Sequence, residues 1–328
     1  MVLFFLACVS NQETKEPMVF DEVKVSERIL KTTTTSHPTA YLMKRIGGAL
    51  VEDSLLLDEG ASPQSWNPSP DQVAALTDQD LIVSSGGGFE KWTERVSIPE
   101  DKWIDTSRGI SIIKTEGETH SHGKDGKHSH TVSDPYIWSD PELYIQQARH
   151  VRDALVAVNP NKRDQFDEGL SALEADLIDL NKQYKDVLGN FEKIRFVSSQ
   201  PAYNYIARRY SLNLYAENFD PKEPISSEVK KSLQHKLSHS KHGHHHGHGH
   251  SHHHSDSEFV FTVVLWGEEP TASVKASFPD KIQHLYIDPL VSIKEGDYDY
   301  VEQSRSNITR WKQLLTDNAA KLKSAHAH

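Results

Sequence analysis

After Pro160 the apolar residues Phe166, Leu170, Leu173, Leu177, Leu180, Tyr184 and Leu188 recur at steps of three or four. That interval places them on one stripe of an α-helix. The stripe predicts a helix of about seven turns, roughly 40 Å long at 1.5 Å per residue. This is more than one small lobe needs, so the helix is expected to run between two. A chain of 328 residues is long enough to give each lobe its own core.

Strand and helix signals alternate on both sides of this helix. Residues 24–34 place Val25, Ile29 and Leu30 among polar residues and end in a threonine run, which reads as a first strand. Pro38 opens a helix over residues 39–46 that Gly47 and Gly48 stop. Residues 55–57 read as a short strand, and Ser69 caps a helix over residues 70–77 with Pro70 at its first position. Leu81, Ile82 and Val83 form a compact buried strand. The run Gly86-Gly87-Gly88 after it lacks the Gly-Lys-Ser/Thr of a phosphate cradle, so it reads as a tight strand-to-helix turn. A helix over residues 141–158, strands at 194–197, 259–265 and 284–287, and a closing helix over 300–322 complete the series.

Such alternation predicts an α/β fold, with two lobes of parallel sheet flanked by helices and joined by the long rigid helix. The expected divisions are a short N-terminal segment (1–20), an N-terminal lobe (21–159), the linking helix (160–190) and a C-terminal lobe (191–328).

The formal net charge of −11 argues against a nucleic-acid binder, which needs a basic face to meet phosphate. The chain contains no HExxH, GxSxG, Walker loop or dinucleotide fingerprint, so no enzyme class is indicated. Cys8 is the single cysteine, which rules out an intramolecular disulfide and a CxxC metal knuckle. The apolar residues 1–7 before it and the polar stretch after it look like the tail of a bacterial lipoprotein signal, in which Cys8 would be lipidated. The expectation is a monomer in the periplasm or at the cell surface, held to the membrane by a lipid anchor only. No later apolar run approaches the ~18 residues of a membrane span.

Fifteen of the twenty histidines fall in two tracts. One holds His120, His122, His128 and His130. The other packs eleven between residues 235 and 254: His235, His239, His242, His244, His245, His246, His248, His250, His252, His253 and His254. Neutral imidazole is the commonest ligand for borderline metals, so the tracts predict capture of Zn²⁺ first, with Ni²⁺ or Cu²⁺ as alternatives. Glycine and serine between the histidines make the second tract flexible, which predicts promiscuous binding of several ions, lost below about pH 6 as the rings protonate. Of the remaining histidines, His37 alone reads as a helix-start residue, His150 as a surface residue on a helix, and His326 and His328 as incidental at the chain end.

The ordered motifs 60–71 (Gly-Ala-Ser-Pro-Gln-Ser-Trp-Asn-Pro-Ser-Pro-Asp), 75–81, 86–92, 134–141 (Asp-Pro-Tyr-Ile-Trp-Ser-Asp-Pro), 196–203, 285–290 and 296–300 resemble those of the zinc/manganese solute-binding proteins of ABC transporters. The resemblance extends over nearly the whole chain after Asp21. It implies two α/β lobes joined by a rigid helix, a metal held between them, and delivery to a membrane permease. It also implies that a histidine-rich loop accompanies zinc transport. The family's cleft metal is usually held by three histidines (one sometimes glutamate) and a carboxylate, and those positions fall here on Gln64, Tyr136, Gln200 and Asp288. Only Asp288 is an ordinary ligand. A glutamine amide is a poor donor to zinc beside imidazole, and a phenol must first lose a proton with a pKa near 10.

Three readings stay open: a metal-free cleft with metal handled by the histidine tracts, a cleft supplied by His37 or His130, or a pocket retuned to a harder cation or another small solute. A degenerate member serving as a metal buffer or an adhesion or structural lipoprotein is the alternative function.

Overall fold

The computed structural model describes residues 28–59, 61, 65–121, 127–217, 219–238, 259–292 and 297–326. Its first sheet is built from β1 (Leu30–Thr34), β2 (Val51–Leu55), β3 (Leu81–Ser84) and β4 (Trp103–Asp105), all parallel, in the order β2-β1-β3-β4. Helices α1 (His37–Gly47) and α2 (Pro70–Ala75) make its first crossovers. Both begin on capping boxes, Ser36 with Thr39 and Ser69 with Gln72, each with a proline in the first turn. These pairs satisfy backbone N–H groups that the first helical turn leaves without partners. All four residues of β3 are buried, as its unbroken apolar run requires.

β5 (Lys114–Ser121) and β6 (Lys127–Ser133) form an antiparallel two-stranded ribbon, followed by α3 (Pro141–Val158) and α4 (Arg163–Leu188). The second sheet contains β7 (Ile194–Ser198), β8 (Asn213–Ala216), β9 (Phe261–Trp266) and β10 (Gln283–Tyr286), again all parallel, in the order β10-β9-β7-β8. It is flanked by α5 (Asn204–Tyr210), α6 (Ser227–Ser238), α7 (Ala272–Lys275), α8 (Tyr300–Asp317) and α9 (Ala319–His326). Among the described residues, no helix is long and apolar enough to cross a membrane.

α4 is the 26-residue helix expected from the stripe. Phe166, Leu170, Leu173, Leu177, Leu180, Tyr184 and Leu188 are all buried on it, against α1 and α3 on one side and α8 on the other. One continuous core therefore runs from Leu30 and Val83 of the first sheet through Leu173 and Leu177 to Phe196, Val263 and Trp311 of the second.

α1 and α4 meet most closely at Gly169, where a Cβ would lie 2.8 Å from the carbonyl oxygens of both Arg45 and Ile46. Those are backbone atoms that cannot swing aside. Gly169→Ala is expected to cost about 1–3 kcal/mol by overpacking, read as a lower urea midpoint with an unchanged m-value.

Hydrogen bonds also stitch the lobes together. The Trp138 indole donates to the Pro289 carbonyl at 3.1 Å, and the Tyr300 hydroxyl donates back to the Trp138 carbonyl at 2.5 Å. Arg209 grips both oxygens of Asp140 at 3.0 and 2.9 Å, and Asn204 donates to Asp134 at 2.9 Å.

Several elements differ from expectation. β2 lies at Val51–Leu55 rather than 55–57, because Leu56 and Leu57 turn into the core beyond its end. The glycine run leads into a 3₁₀ turn (Lys91–Arg95) and not an α-helix. The closing helix breaks at Asn318, whose side chain exchanges hydrogen bonds with Gln283 at 2.7 and 2.9 Å. His150 is half-buried rather than on the surface, its Nδ1 2.8 Å from the Thr106 carbonyl oxygen. Where a loop is expected at 118–131, residues 118–121 and 127–131 fall in a ribbon, and residues 122–126 lie outside the described residues.

Candidate functional site

Both sheets reverse their strand order about a central pair, β1/β3 in the first and β7/β9 in the second. In open parallel sheets, the crevice outside the carboxyl ends of such a pair is where ligands bind. In the first lobe those ends carry Thr35, Ser36 and His37 after β1, and Ser85 and Gly86 after β3. In the second they carry Ser199 and Gln200 after β7, and Gly267 and Glu268 after β9.

The first-lobe wall is a buried polar floor. Ser36 Oγ lies 2.7 Å from Ser85 Oγ. Glu90 lies beneath them and accepts from the Thr35 hydroxyl at 2.6 Å and from the backbone N–H groups of Ser85 and Gly86 at 2.7 and 3.0 Å. Gly86 needs its left-handed φ of 70° and its missing side chain, because a Cβ there would lie 1.8 Å from Asp105 Oδ1.

Burial pushes the Glu90 carboxyl up to about 7 despite these three donors, and raises Asp53 and Asp134 to about 6. A carboxyl held above its unfolded value contributes stability that is complete at low pH and lost as pH rises through the folded value. The chain is therefore expected to be more stable at pH 5 than at pH 7.5. Glu90→Gln should flatten that dependence by about 2 kcal/mol, measured as urea stability across the range.

His37 stands at the first position of α1, its ring stacked on Tyr298 with centroids 5.3 Å apart and planes at 24°. Burial lowers its pKa, so the neutral imidazole is favoured. Tyr136 is 4% exposed. Its backbone N–H donates to Asp134 at 2.9 Å, and its ring tilts against Trp138.

Across the cleft, the Gln200 amide lies against the backbone of Gly267, where any Cβ would come within 2.0 Å of Nε2. Asn307 clamps the Asp288 backbone, accepting from its N–H at 2.9 Å and donating to its carbonyl at 2.8 Å, while Asp288 Oδ1 accepts from Leu290 N at 2.8 Å.

Tyr136, Gln200 and Asp288 all lie within electrostatic reach of Tyr203. Its hydroxyl donates to the Ile287 carbonyl at 2.6 Å. Burial holds the Tyr203 phenol well above its ordinary value, with the Asp288 charge and the Tyr286 and Tyr136 rings adding to the shift. Tyr298, which donates to the Leu290 carbonyl at 2.8 Å, is raised the same way by burial and then by Asp288. Around Tyr203 the described cleft thus presents Asp288, the Gln200 amide and the phenols of Tyr203 and Tyr298, which stay protonated. Among the described residues, no three His, Cys, Asp or Glu side chains come close enough together to hold a metal ion. Beside Gln200 opens a polar cavity of about 460 Å³ lined by Ser199, Asp220, Lys222 and Glu268.

Gln64 and Cys8 lie outside the described residues, as do His122 and the histidines from His239 to His254. His235 falls on α6, and His120, His128 and His130 fall on β5 and β6. Tyr203, Tyr298 and Glu90 are additions to the expected site. The two tyrosines sit inside quoted motifs, at 196–203 and 296–300, so a signal for them was present. Glu90 sits inside a quoted motif as well, at 86–92, but its role under Thr35, Ser85 and Gly86 depends on the folding of the turn around it.

Fold and site together define a class: a two-lobed α/β solute-binding protein with facing switch points and a single linking helix. Over residues 32–314 the chain matches the family model described as zinc-uptake complex component A, periplasmic (ZnuA), and it belongs to that family, one of uptake components rather than enzymes. It is 29% identical over 226 residues to the zinc-binding lipoprotein AdcA of Streptococcus pneumoniae (strain R6), a match covering 65% of this chain and 41% of that protein. To the manganese ABC transporter substrate-binding lipoprotein PsaA of Streptococcus mitis it is 27% identical over 252 residues, 73% of this chain and 76% of that one. The crystal structure of the metal-dependent lipoprotein YcdH of Bacillus subtilis shares the fold, with a TM-score of 0.68 at 19% identity, covering 87% of this chain and 98% of the other.

Proposed function

We propose that the chain is the extracytoplasmic solute-binding component of an ABC-type metal uptake system. It captures zinc first, with manganese, nickel or copper as lesser cargo, and hands it to a membrane permease. It works as a monomer anchored through a lipid on Cys8. In this reading the histidine tracts, His120 to His130 and His235 to His254, are the principal transition-metal ligands, and the altered cleft is secondary.

The observation that carries the reading is the chemistry of the cleft in a zinc-uptake family member. Tyr136 and Gln200 stand beside Asp288 among tyrosines whose raised pKa values keep them neutral. Zinc favours imidazole and thiolate over amide and phenol, so this set holds it weakly. The His37 ring, stacked on Tyr298 and favoured in its neutral form by burial, is an imidazole on the first-lobe side of that cleft.

Equilibrium zinc titration of the full chain, of the chain lacking residues 235–254, and of Asp288→Ala tests the assignment. The deletion should remove the larger share of bound zinc and Asp288→Ala little. The reverse pattern would return the metal to the cleft.

A further inference from the structure

Glu192 and Ser211 each lie two residues before a strand, β7 and β8, and these parallel strands start side by side, with Arg195 paired to Asn213. Both residues line a cavity of about 480 Å³, a volume usual for small-molecule sites. The last turns of α4 supply Lys185 and Leu188, the end of α5 supplies Arg209 and Tyr210, and Glu142 comes from the first turn of α3. The cavity therefore lies at the amino ends of the strands, away from the cleft at their carboxyl ends, and both lobes line it.

One wall is hydrogen-bonded to itself. Arg209 grips Asp140 through Nε and meets Glu142 through a second nitrogen at 2.7 Å. Asn181 donates to the same Glu142 carboxylate at 2.9 Å, and the Tyr210 hydroxyl donates to Asn181 Oδ1 at 2.8 Å. Burial raises the pKa of that phenol, so it stays a donor. These bonds order the wall before any ligand arrives, which lowers the cost of binding.

The groups left over are one cation and one anion. Among the described residues, neither the Lys185 ammonium nor the Glu192 carboxylate has an ion pair or hydrogen bond, although both line the cavity. Lys182 on the same helix, by contrast, pairs with Asp186 at 3.0 Å. Ser211 adds a third unpartnered group. It ends α5 in the left-handed region, at φ 58°, where glycine is the usual cap. Glycine would hold that turn with less strain but would bring no polar atom to the cavity, whereas serine brings a hydroxyl.

A metal ion or a simple anion would answer only one of the two charges. A small molecule with both a carboxylate and an ammonium answers both, through charge-assisted hydrogen bonds. Leu188 and the Tyr210 ring add apolar surface beside them. We infer that this cavity binds a free α-amino acid with an aliphatic side chain. Its carboxylate pairs with Lys185 and the Ser211 hydroxyl, its ammonium pairs with Glu192, and its side chain lies on Leu188 and Tyr210. The occupant sits beside the Arg209–Asp140 tie and so buttresses the seam between the lobes. The site goes beyond the metal capture proposed above and does not depend on it.

The test is equilibrium dialysis of L-leucine against the full chain after chelator treatment, so that zinc held elsewhere cannot recruit the amino acid. The expected result is one leucine per chain, with a thermal midpoint that rises with leucine concentration by mass action. Lys185→Gln and Glu192→Gln should each weaken binding at least tenfold. Both side chains are exposed, so the fold tolerates either change. N-acetyl-L-leucine lacks the ammonium and L-leucinamide lacks the carboxylate, and each should bind at least tenfold more weakly than leucine. Ser211→Gly should raise the midpoint of the ligand-free chain by relieving the left-handed serine, yet lower leucine affinity. A serine that serves the turn alone would show only the first effect.

Absence of saturable binding up to about 10 mM leucine overturns the site. So does leucine binding that the two glutamine variants weaken by less than tenfold. Either derivative binding within tenfold of leucine overturns the assignment of a zwitterion.

Discussion

Removing residues 235–254 is expected to lower the zinc stoichiometry of the intact chain by roughly three to five equivalents, since each ion takes two to four imidazoles. The excised stretch holds eleven histidines, the largest concentration of borderline-metal ligand in the molecule. Their loss should show as fewer ions bound at neutral pH. The deleted chain should also release less zinc on acidification, because imidazole must be neutral to coordinate. The phenols of Tyr203 and Tyr298 around Asp288 are held protonated by burial, which leaves them poor competitors for the metal. Unchanged stoichiometry after the deletion would remove the tract from the mechanism.

Leu177→Ala should destabilise the whole chain by about 2–5 kcal/mol, the usual range for opening a leucine-sized cavity in a packed core. Leu177 is fully buried midway along α4, within the cluster that joins both sheets. The loss should therefore appear as one shifted transition in urea rather than as unfolding of a single lobe. The adjacent Ile178 is the control. It is 59% exposed on the outer face of the same helix, and Ile178→Ala should stay within about 0.5 kcal/mol. A biphasic transition in Leu177→Ala would contradict the continuous core.

These two neighbours also mark what a sequence conveys and what it withholds. The stripe containing Leu177 was legible because helical burial repeats at a fixed interval, and α4 came out within a few residues of its expected span. α1 and α2 were legible for a local reason too, since Ser36 and Ser69 announce their starts. The β5–β6 ribbon was not. Its segments, Lys-Thr-Glu-Gly-Glu-Thr-His-Ser and Lys-His-Ser-His-Thr-Val-Ser, have almost no apolar alternation, and their pairing is a property of two segments together. β8, four residues long, offered too short a pattern to separate from a loop.

The site divides in the same way. Tyr136, Gln200 and Asp288 could be placed through family motifs. Their grouping around Tyr203, and the stacking of Tyr298 on His37, bring within reach residues far apart in the chain, which no spacing rule encodes.

The ties between Trp138 and Pro289, Tyr300 and Trp138, and Arg209 and Asp140, together with the single stiff helix behind them, have a kinetic consequence. A receptor joined by several flexible strands can swing open like a jaw, so that its dwell time follows the rate of that swing. Here the halves are fastened along their shared edge, and a swing would have to break a continuous core. On the function proposed above, this leaves rotation of side chains at the rim, on picoseconds to nanoseconds for exposed groups, as the motion that admits cargo. On that same function, how long an ion stays is then governed by the strength of its own bonds.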